Sequence, residues 1–369
     1  DLTQGVQSAD NATAVAPTSA LNPPVLANPD RAALSLQIQQ TRLGMTLGEG
    51  TQLKGTVEFD FTHFDQSSPT TASFPRVRIM ALDWTFAPNQ HFFMGQTWDL
   101  FGNATGPQLL SHSFNLVGTL FRAGNIGFMR HQIGYSGRFD DVEIAAAVGL
   151  PGSNAGPTFN NLEQGLVPTG SARVMLHLGE AGVVGVSGIV SALQFSQPAS
   201  PDQHRVAAAG ELFADVTLGP VNLHSEFYVA QNLANTGSLN LGFGRYDHDL
   251  VDLGGYISGK WTLGPHAVTA MAGAAAVLNQ DEVVPGYAVA NPAATPPTSV
   301  GTLAPANGPG ITRNFSAHVG YWFSPLKGFS LVAEPYVYVT KFRLAPVDAA
   351  RLDENRVAFG GMLGTMYTF

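Results

Sequence analysis

The last fifteen residues of the chain constrain its fold more than any other segment, because bulky and small residues alternate along them. Val357, Phe359, Leu363, Tyr367 and Phe369 share one parity, and small or polar residues fill most of the other. Successive side chains of a strand point to opposite faces. The segment therefore predicts a strand with one apolar face and aromatic residues at its end, a pattern typical of strands that cross a membrane.

The composition favours a membrane β-protein over a soluble domain. Charged residues make up 12% of the 369 residues, about half the share of a typical soluble domain. No run of about 18 apolar residues occurs, so the sequence predicts no transmembrane helix. The hydrophobic residues are instead spread over alternate positions, as the strands of a transmembrane barrel require.

Two further features of the composition exclude classes of site and partner. The chain has no cysteine, which excludes a disulfide scaffold and a cysteine-ligated metal centre. Its net charge of −9 argues against nucleic acid as a partner. We predict no cofactor and no metal site.

Alternating segments recur along the chain from residue 34 onward, and short turns and long connections follow them in strict alternation. The short turns contain the Gly, Pro and Asx residues of tight turns. Short periplasmic turns and long external loops are typical of transmembrane β-barrels. The predicted strands are 34–47, 51–64, 74–87, 90–99, 126–139, 141–150, 169–179, 181–195, 203–218, 220–233, 250–263, 265–279, 312–324, 327–343 and 355–369.

The direction of the strands predicts their number. If the last strand ends in the periplasm, the strand at 34–47 runs downward and an upward strand must precede it, which agrees with the even strand counts of single-chain bacterial barrels. Residues 1–8 alternate weakly and supply part of that first strand, whose beginning we expect upstream of Asp1. The prediction is one transmembrane antiparallel β-barrel over residues 1–369, with sixteen strands and 9–32 as its first external loop.

Charged residues fall on the parity opposite the lipid-facing one. A charge facing lipid costs ~2–4 kcal/mol at the bilayer midplane, so these residues are predicted to line a water-filled lumen. In the strand 74–87, for example, Arg76 and Arg78 are predicted to lie opposite Val77 and Ile79. The predicted lumen residues are Lys54, Glu58, Asp60, Arg76, Arg78, Arg130, Arg138, Arg173, Glu226, Lys260, Glu334 and Arg356.

The arginines of the N-terminal half allow two interpretations. Arg76, Arg78, Arg130, Arg138 and Arg173 outnumber the acidic residues near them, and rings of basic residues favour anions. Alternatively, the same arginines form ion pairs with neighbouring carboxylates and brace the wall. The first interpretation predicts a modest preference for anions, and the second predicts none.

Two long connections have unusual compositions. The connection 100–125 is rich in Leu, Phe and Asn, which suit an exposed loop poorly. It is predicted either to fold into the barrel as a constriction loop, or to form a short helix on the inner wall or a latch that contacts a neighbouring subunit. The Pro- and Ala-rich connection 280–311 is predicted to be an external loop.

Short motifs resemble those of the DcaP-like outer-membrane porins. They lie at residues 34–44, 76–84, 130–135 and 219–228, and Gly95-Gln96-Thr97-Trp98 is the most specific. The terminal Phe369 also resembles the C-terminal assembly signal of outer-membrane barrels. The resemblance implies a sixteen-stranded homotrimeric porin for small anionic solutes, in which Arg42, Arg78 and Arg130 match lumen arginines. The chain departs from the family pattern at Thr41 and Gly134.

These observations predict a porin in the outer membrane of a Gram-negative bacterium, through which small hydrophilic solutes diffuse passively with modest preference for anions such as small carboxylates. Outer-membrane lipid, lipopolysaccharide and two further copies of the chain are the expected partners. The alternatives are a plugged, structural or adhesive barrel, or an outer-membrane lipid hydrolase. We predict no enzyme, because the sequence contains neither Gly-x-Ser-x-Gly nor His-Glu-x-x-His.

Overall fold

A computed structural model describes residues 2–7, 33–37, 42–60, 75–102, 123–125, 129–150, 167–197, 200–233, 249–279, 311–343 and 353–367. Every strand in these ranges belongs to one antiparallel sheet. No helix in the described ranges is long and apolar enough to cross a membrane. The strands are β1 (Leu2–Gln7), β2 (Ala33–Gln37), β3 (Leu43–Leu47), β4 (Leu53–Asp60), β5 (Arg76–Ala87), β6 (Gln90–Trp98), β7 (Met129–Phe139), β8 (Val142–Gly149), β9 (Thr169–His177), β10 (Gly182–Gln197), β11 (Ser200–Leu218), β12 (Val221–Gln231), β13 (Val251–Leu263), β14 (His266–Val277), β15 (Ile311–Leu326), β16 (Phe329–Arg343) and β17 (Asp353–Tyr367).

The sheet is a meander in which strands pair with their neighbours in sequence. From β3 to β17, fifteen strands, each pairs in antiparallel register with the next. The short strand β1 pairs with β17 through Gly5 and Met362, and with β2 through Gly5 and Ser35. Strand β1 therefore lies between β2 and β17.

The predicted strands agree with the observed ones. Each predicted segment overlaps an observed strand, with ends that differ by a few residues, and the predicted segment 34–47 overlaps both β2 and β3. The tight turns also form as predicted, with left-handed backbone at Asn89 (φ 59°) and Asp140 (φ 52°). The all-β antiparallel fold is thus confirmed. The predicted loops 9–32 and 280–311 lie outside the described residues, apart from Ile311, which begins β15.

The two faces of the sheet differ in chemistry. On one face, large apolar side chains are exposed, such as Leu212 (61%), Phe227 (55%) and Ile257 (53%). We call it the apolar face. The residues between them on the strands point to the opposite face, here called the polar face, where Glu211 and Glu226 are buried. Such a continuous exposed apolar surface is unfavourable in water and suits contact with lipid.

A bulge in β5 gives one residue a side-chain direction opposite to the predicted one. In the backbone register, Glu58 lies opposite Ile79 and Phe59 lies opposite Val77. No residue of β4 therefore lies directly opposite Arg78. Val77 lies on the apolar face as predicted, but Ile79 lines a cavity on the polar face, so the prediction for Ile79 was wrong. A bulge adds one residue to one strand, and this extra residue shifts the alternation by one position. The side chain of Gln96 stabilises the bulge by donating from Nε2 to the carbonyls of Val77 (2.9 Å) and Arg78 (3.0 Å).

Candidate functional site

Two ion pairs join β4 and β5 on the polar face. The Arg76 guanidinium binds both oxygens of Asp60, at 2.9 Å from Nε and 2.5 Å from Nη2. Arg78 forms an ion pair with Glu58. The guanidinium carbon of Arg78 lies 4.8 Å from the centroid of the Trp98 ring. Bidentate and charge-assisted contacts of this kind fix both geometry and charge. The two arginines are therefore largely neutralised by carboxylates on the neighbouring strand.

Arg130 is also paired, with a carboxylate that the sequence did not identify. Its Nε donates to Oδ2 of Asp99 at 2.6 Å, and its Nη1 donates to the carbonyl of Leu150 at 2.6 Å. Both side chains are only 5% exposed. Asp99 follows the last residue of β6, and nothing in its local sequence indicates that it reaches β7.

Arg173 and Arg138 contact groups on the neighbouring strand and in the following turn. Arg173 Nη2 lies 3.8 Å from Oε1 of Glu143, a carboxylate that also contacts Nε2 of His177 at 3.1 Å. Glu143 alternates with the apolar-face residues of its strand, so its position on the polar face was predictable from the sequence, although it was not predicted. Arg138 donates from Nε to the Asp140 carbonyl at 3.0 Å, in the exposed turn after β7.

A cavity of about 550 Å³ lies on the polar face between these groups. Its lining includes Lys54, Asp83, His91 and Arg173 together with the ring of Trp98. Asp83 contacts His91 Nδ1 at 3.0 Å, whereas the exposed Lys54 ammonium has no ion-pair or hydrogen-bond partner among the described residues. The cavity thus combines an accessible cation with an aromatic wall, and it is large enough for a small organic solute.

Buried acidic residues occupy the polar face of β11 and β12. Glu211, 4% exposed, accepts a hydrogen bond at Oε2 from Ser187 Oγ at 2.6 Å. Glu226 is fully buried, and its Oε1 lies 3.5 Å from His224 Nε2. Glu226 pairs in register with Tyr256 of β13. The sequence predicted the direction of Glu226 but did not identify Glu211.

Both described ends of the connection between β6 and β7 contact this acidic wall. The Gly102 N–H donates to Glu211 Oε2 at 2.9 Å, and Phe101 packs in a buried cluster with Tyr228 and Leu233. At the other end, Gly124 (φ 109°) lies so close to Gly255 that a Cβ atom would collide with the backbone there. The described ends of the connection therefore contact the polar face of β10 to β13, although its first residue, Leu100, still packs against Ala145 and Ala147 of β8. Residues 103–122 lie outside the described part of the chain.

A Ser-His-Glu chain lies on the polar face of β15 and β16. Ser316 Oγ is 2.6 Å from His318 Nε2, and His318 Nδ1 is 2.9 Å from Glu334 Oε1. The order of atoms matches that of a serine-hydrolase triad. All three side chains are at most 2% exposed, however, so no substrate can reach the hydroxyl. We interpret the three residues as a hydrogen-bond network that stabilises the pairing of β15 and β16.

Of the remaining predicted residues, Arg42 lies near the two ion pairs of β4 and β5, within electrostatic reach of Glu58 and Asp60. Lys260 Nζ is 4.1 Å from the centroid of the Trp322 ring. Arg42 is exposed immediately before β3. Arg356 pairs in register with Thr340, and its side chain lies outside the described part, as does Phe369. Across the described ranges, no group of three or more His, Asp or Glu side chains is arranged to hold a metal ion.

Comparison with known proteins shows similarity in fold. No family model matches the chain. No curated protein sequence matches it either. Similar solved structures include OprB of Pseudomonas putida, with 10% identity and a TM-score of 0.55 over 100% of this chain and 93% of that one. OmpT of Vibrio cholerae, an outer membrane protein solved in a trimer form, has 11% identity and a TM-score of 0.54 over 100% of this chain and 98% of that one.

A third similar structure is OmpF of Salmonella typhi, with 10% identity and a TM-score of 0.50 over 99% of this chain and 97% of that one. At such identities the similarity establishes the fold alone. The chain therefore has the fold of outer-membrane β-barrel proteins, and the resemblance to the DcaP-like porins stays a prediction.

Proposed function

We propose that the protein is an outer-membrane porin, a sixteen-stranded barrel with a water-filled lumen. The observation that carries the proposal is the position of β1, which pairs with both β17 and β2. If β2 and β3 are two parts of one strand, these pairings join the two ends of the meander, and the count becomes sixteen. The polar face then lines the lumen, and the apolar face contacts lipid.

The connection 100–125 is the constriction loop in this proposal. Its described ends contact the wall formed by β10 to β13, whereas the strands that it joins are β6 and β7. We propose that the connection crosses the lumen between these contacts. It would narrow the channel at the level of the cavity that Lys54 and Arg173 line.

The channel would pass small hydrophilic solutes with a modest preference for anions such as small carboxylates. The contacts of Arg76, Arg78 and Arg130 with carboxylates favour the bracing interpretation for those three residues. The preference would therefore depend mainly on Lys54, which is exposed and lines the cavity. An accessible cation that salt screens produces a weak preference.

The expected partners follow from this assignment. The apolar face would contact lipid and lipopolysaccharide in the outer membrane of a Gram-negative bacterium. A homotrimer is the proposed assembly, and the trimer form of Vibrio cholerae OmpT is consistent with it. The DcaP-like porins remain the proposed family. We propose no enzymatic role, since the Ser316 hydroxyl is buried.

Solute diffusion tests the proposal directly. Liposomes that contain the purified protein should swell in isosmotic arabinose and in isosmotic sodium acetate, at rates that increase with the amount of protein. A plugged, structural or adhesive barrel would give the swelling rate of empty liposomes with both solutes, and that result would overturn the proposal.

A further inference from the structure

The cavity of about 550 Å³ on the polar face contains charged groups of both signs on directly opposed residues. Lys54 of β4 lies opposite Asp83 of β5 in the backbone register, and both side chains line the cavity. Residues that lie opposite each other in an antiparallel pair have Cβ atoms about 4.5–5.5 Å apart. One cation and one carboxylate therefore lie side by side in the wall of the cavity.

These two side chains are accessible and form no ion pair with each other. Lys54 is exposed, and its ammonium has no partner among the described residues. The Asp83 side chain is 41% exposed, and its Oδ1 contacts His91 Nδ1 at 3.0 Å. The same nitrogen lies 3.1 Å from Thr85 Oγ1. The contact with His91 positions the carboxylate and leaves Oδ2 without a hydrogen bond to any described residue.

The wall beside these charges is apolar and partly aromatic. Phe93 and Trp98 line it together with Ile79. Phe93 packs against the buried cluster that includes Leu100, and the guanidinium carbon of Arg78 lies 4.8 Å from the centroid of the Trp98 ring. Both rings are thus held by neighbouring groups and offer a preformed surface for the apolar part of a ligand.

We propose that this cavity binds zwitterionic α-amino acids with apolar or aromatic side chains. The inference rests on the proposed porin and names a class of solute that its lumen would select. The α-carboxylate would bind the Lys54 ammonium, and the α-ammonium would bind Asp83 Oδ2. The amino-acid side chain would then lie against Phe93 and Trp98. Because one carbon atom carries both charged groups of an α-amino acid, the ligand matches the adjacent positions of the two protein charges.

Solutes with a single charge fit this pair of groups less well. A carboxylate that pairs with Lys54 lies beside the like charge of Asp83, and an amine that pairs with Asp83 lies beside the like charge of Lys54. Like charges at such distances oppose binding, whereas a zwitterion compensates both protein groups at once. Among carboxylates, the cavity therefore favours those that also carry an ammonium group.

Three probes that share a phenyl group test the inference: L-phenylalanine, 3-phenylpropionate and 2-phenylethylamine. Isothermal titration calorimetry of the wild-type protein in detergent should show L-phenylalanine binding about fivefold more tightly than either other probe, the effect of one accessible ion pair. Asp83→Asn should bind L-phenylalanine and 3-phenylpropionate equally. Asp141→Asn removes the same charge in the exposed turn between β7 and β8 and should bind as wild type does. Equal affinities of wild type for L-phenylalanine and 3-phenylpropionate, or no binding of L-phenylalanine, would overturn the inference.

Two further measurements complete the test. Glycine carries the same charges and should bind more weakly than L-phenylalanine, because it makes no contact with Phe93 or Trp98; equal affinities would refute the role of the apolar wall. Liposome swelling in isosmotic arabinose separates the two proposals. Swelling without L-phenylalanine binding refutes the amino-acid site alone, whereas binding without swelling supports the site and refutes the porin.

Discussion

Three of the predicted lumen arginines form ion pairs with carboxylates on the polar face. Arg76, Arg78 and Arg130 each contact a carboxylate, and Arg130 and Asp99 do so with almost no exposure to solvent. A buried ion pair adds little net stability, but removing one partner leaves an uncompensated buried charge. The pairs therefore contribute to the structure of the polar face.

The Arg130 pair gives a prediction about stability. Asp99→Ala should lower the free energy of unfolding by about 3–5 kcal/mol, because the Arg130 guanidinium is left buried and without its carboxylate. Urea unfolding of the refolded protein in lipid vesicles measures this loss. The matched control is the double variant Asp99→Ala with Arg130→Met, which should recover most of the stability. A single variant as stable as wild type would contradict the assignment.

The Lys54 ammonium gives a prediction about selectivity. One charge at 4 Å contributes about 1 kcal/mol in water, and salt screening reduces it, so Lys54→Gln should lower the anion-to-cation permeability ratio by roughly twofold. Reversal potentials in a potassium chloride gradient measure the ratio. Lys327→Gln removes the same charge in the exposed turn between β15 and β16 and should change nothing. Equal ratios for the two variants would exclude Lys54 as the selective group.

At the scale of the strands, much of the fold could be predicted from the sequence. Period-two alternation is a local property, and it placed every predicted strand on an observed one. Alternation also predicted that Glu226 and Glu334 lie on the polar face, since parity alone decides that direction. The tight turns were predictable because Gly, Pro and Asx have local conformational preferences.

The features that could not be predicted depend on the register between strands. The bulge at Arg78 moves Ile79 to the polar face, and it forms through pairing with Glu58 and Phe59 on another strand. The contact between Gly102 and Glu211 joins residues 109 positions apart, and no local pattern encodes it. The choice between paired and unpaired arginines likewise required the positions of Asp99 and Glu143 in space.

The connection 100–125 gives a prediction at this scale. Gly124→Leu should displace the connection from the wall, because its side chain would collide with the backbone of Gly255. We expect a higher single-channel conductance and more current noise than in wild type. Gly210→Leu is the control, since a Cβ atom at Gly210 has no neighbour within 4 Å. Unchanged conductance in Gly124→Leu would show that the connection does not constrict the channel.

For the whole molecule, the decisive feature is the pairing of β1 with β2 and with β17. Without it, the sheet would have two open edges, and unpaired backbone groups cannot face the hydrocarbon core of a membrane. The register places Gly5 opposite Met362 of β17 and Ser35 of β2. The proposed closure therefore depends on β1, a strand of six residues.

Engineered disulfides test the closure, and the absence of native cysteines makes the experiment clean. Directly paired strand residues have Cα atoms about 4.5–5.5 Å apart, within the range that a disulfide spans. Gly5→Cys with Met362→Cys should therefore form a disulfide on mild oxidation, which a shift in gel mobility detects. Gly5→Cys with Ala333→Cys should not, because Ala333 of β16 pairs with Leu363 rather than with β1. Equal cross-linking of the two pairs would refute the proposed closure.

Single-channel recording in a planar lipid bilayer tests the central claim, a water-filled channel through one barrel, most directly. The account predicts stepwise current increases that are proportional to voltage at low voltage and grouped in threes for a trimer. A protein that inserts into the bilayer and gives no current at any voltage would contradict the account.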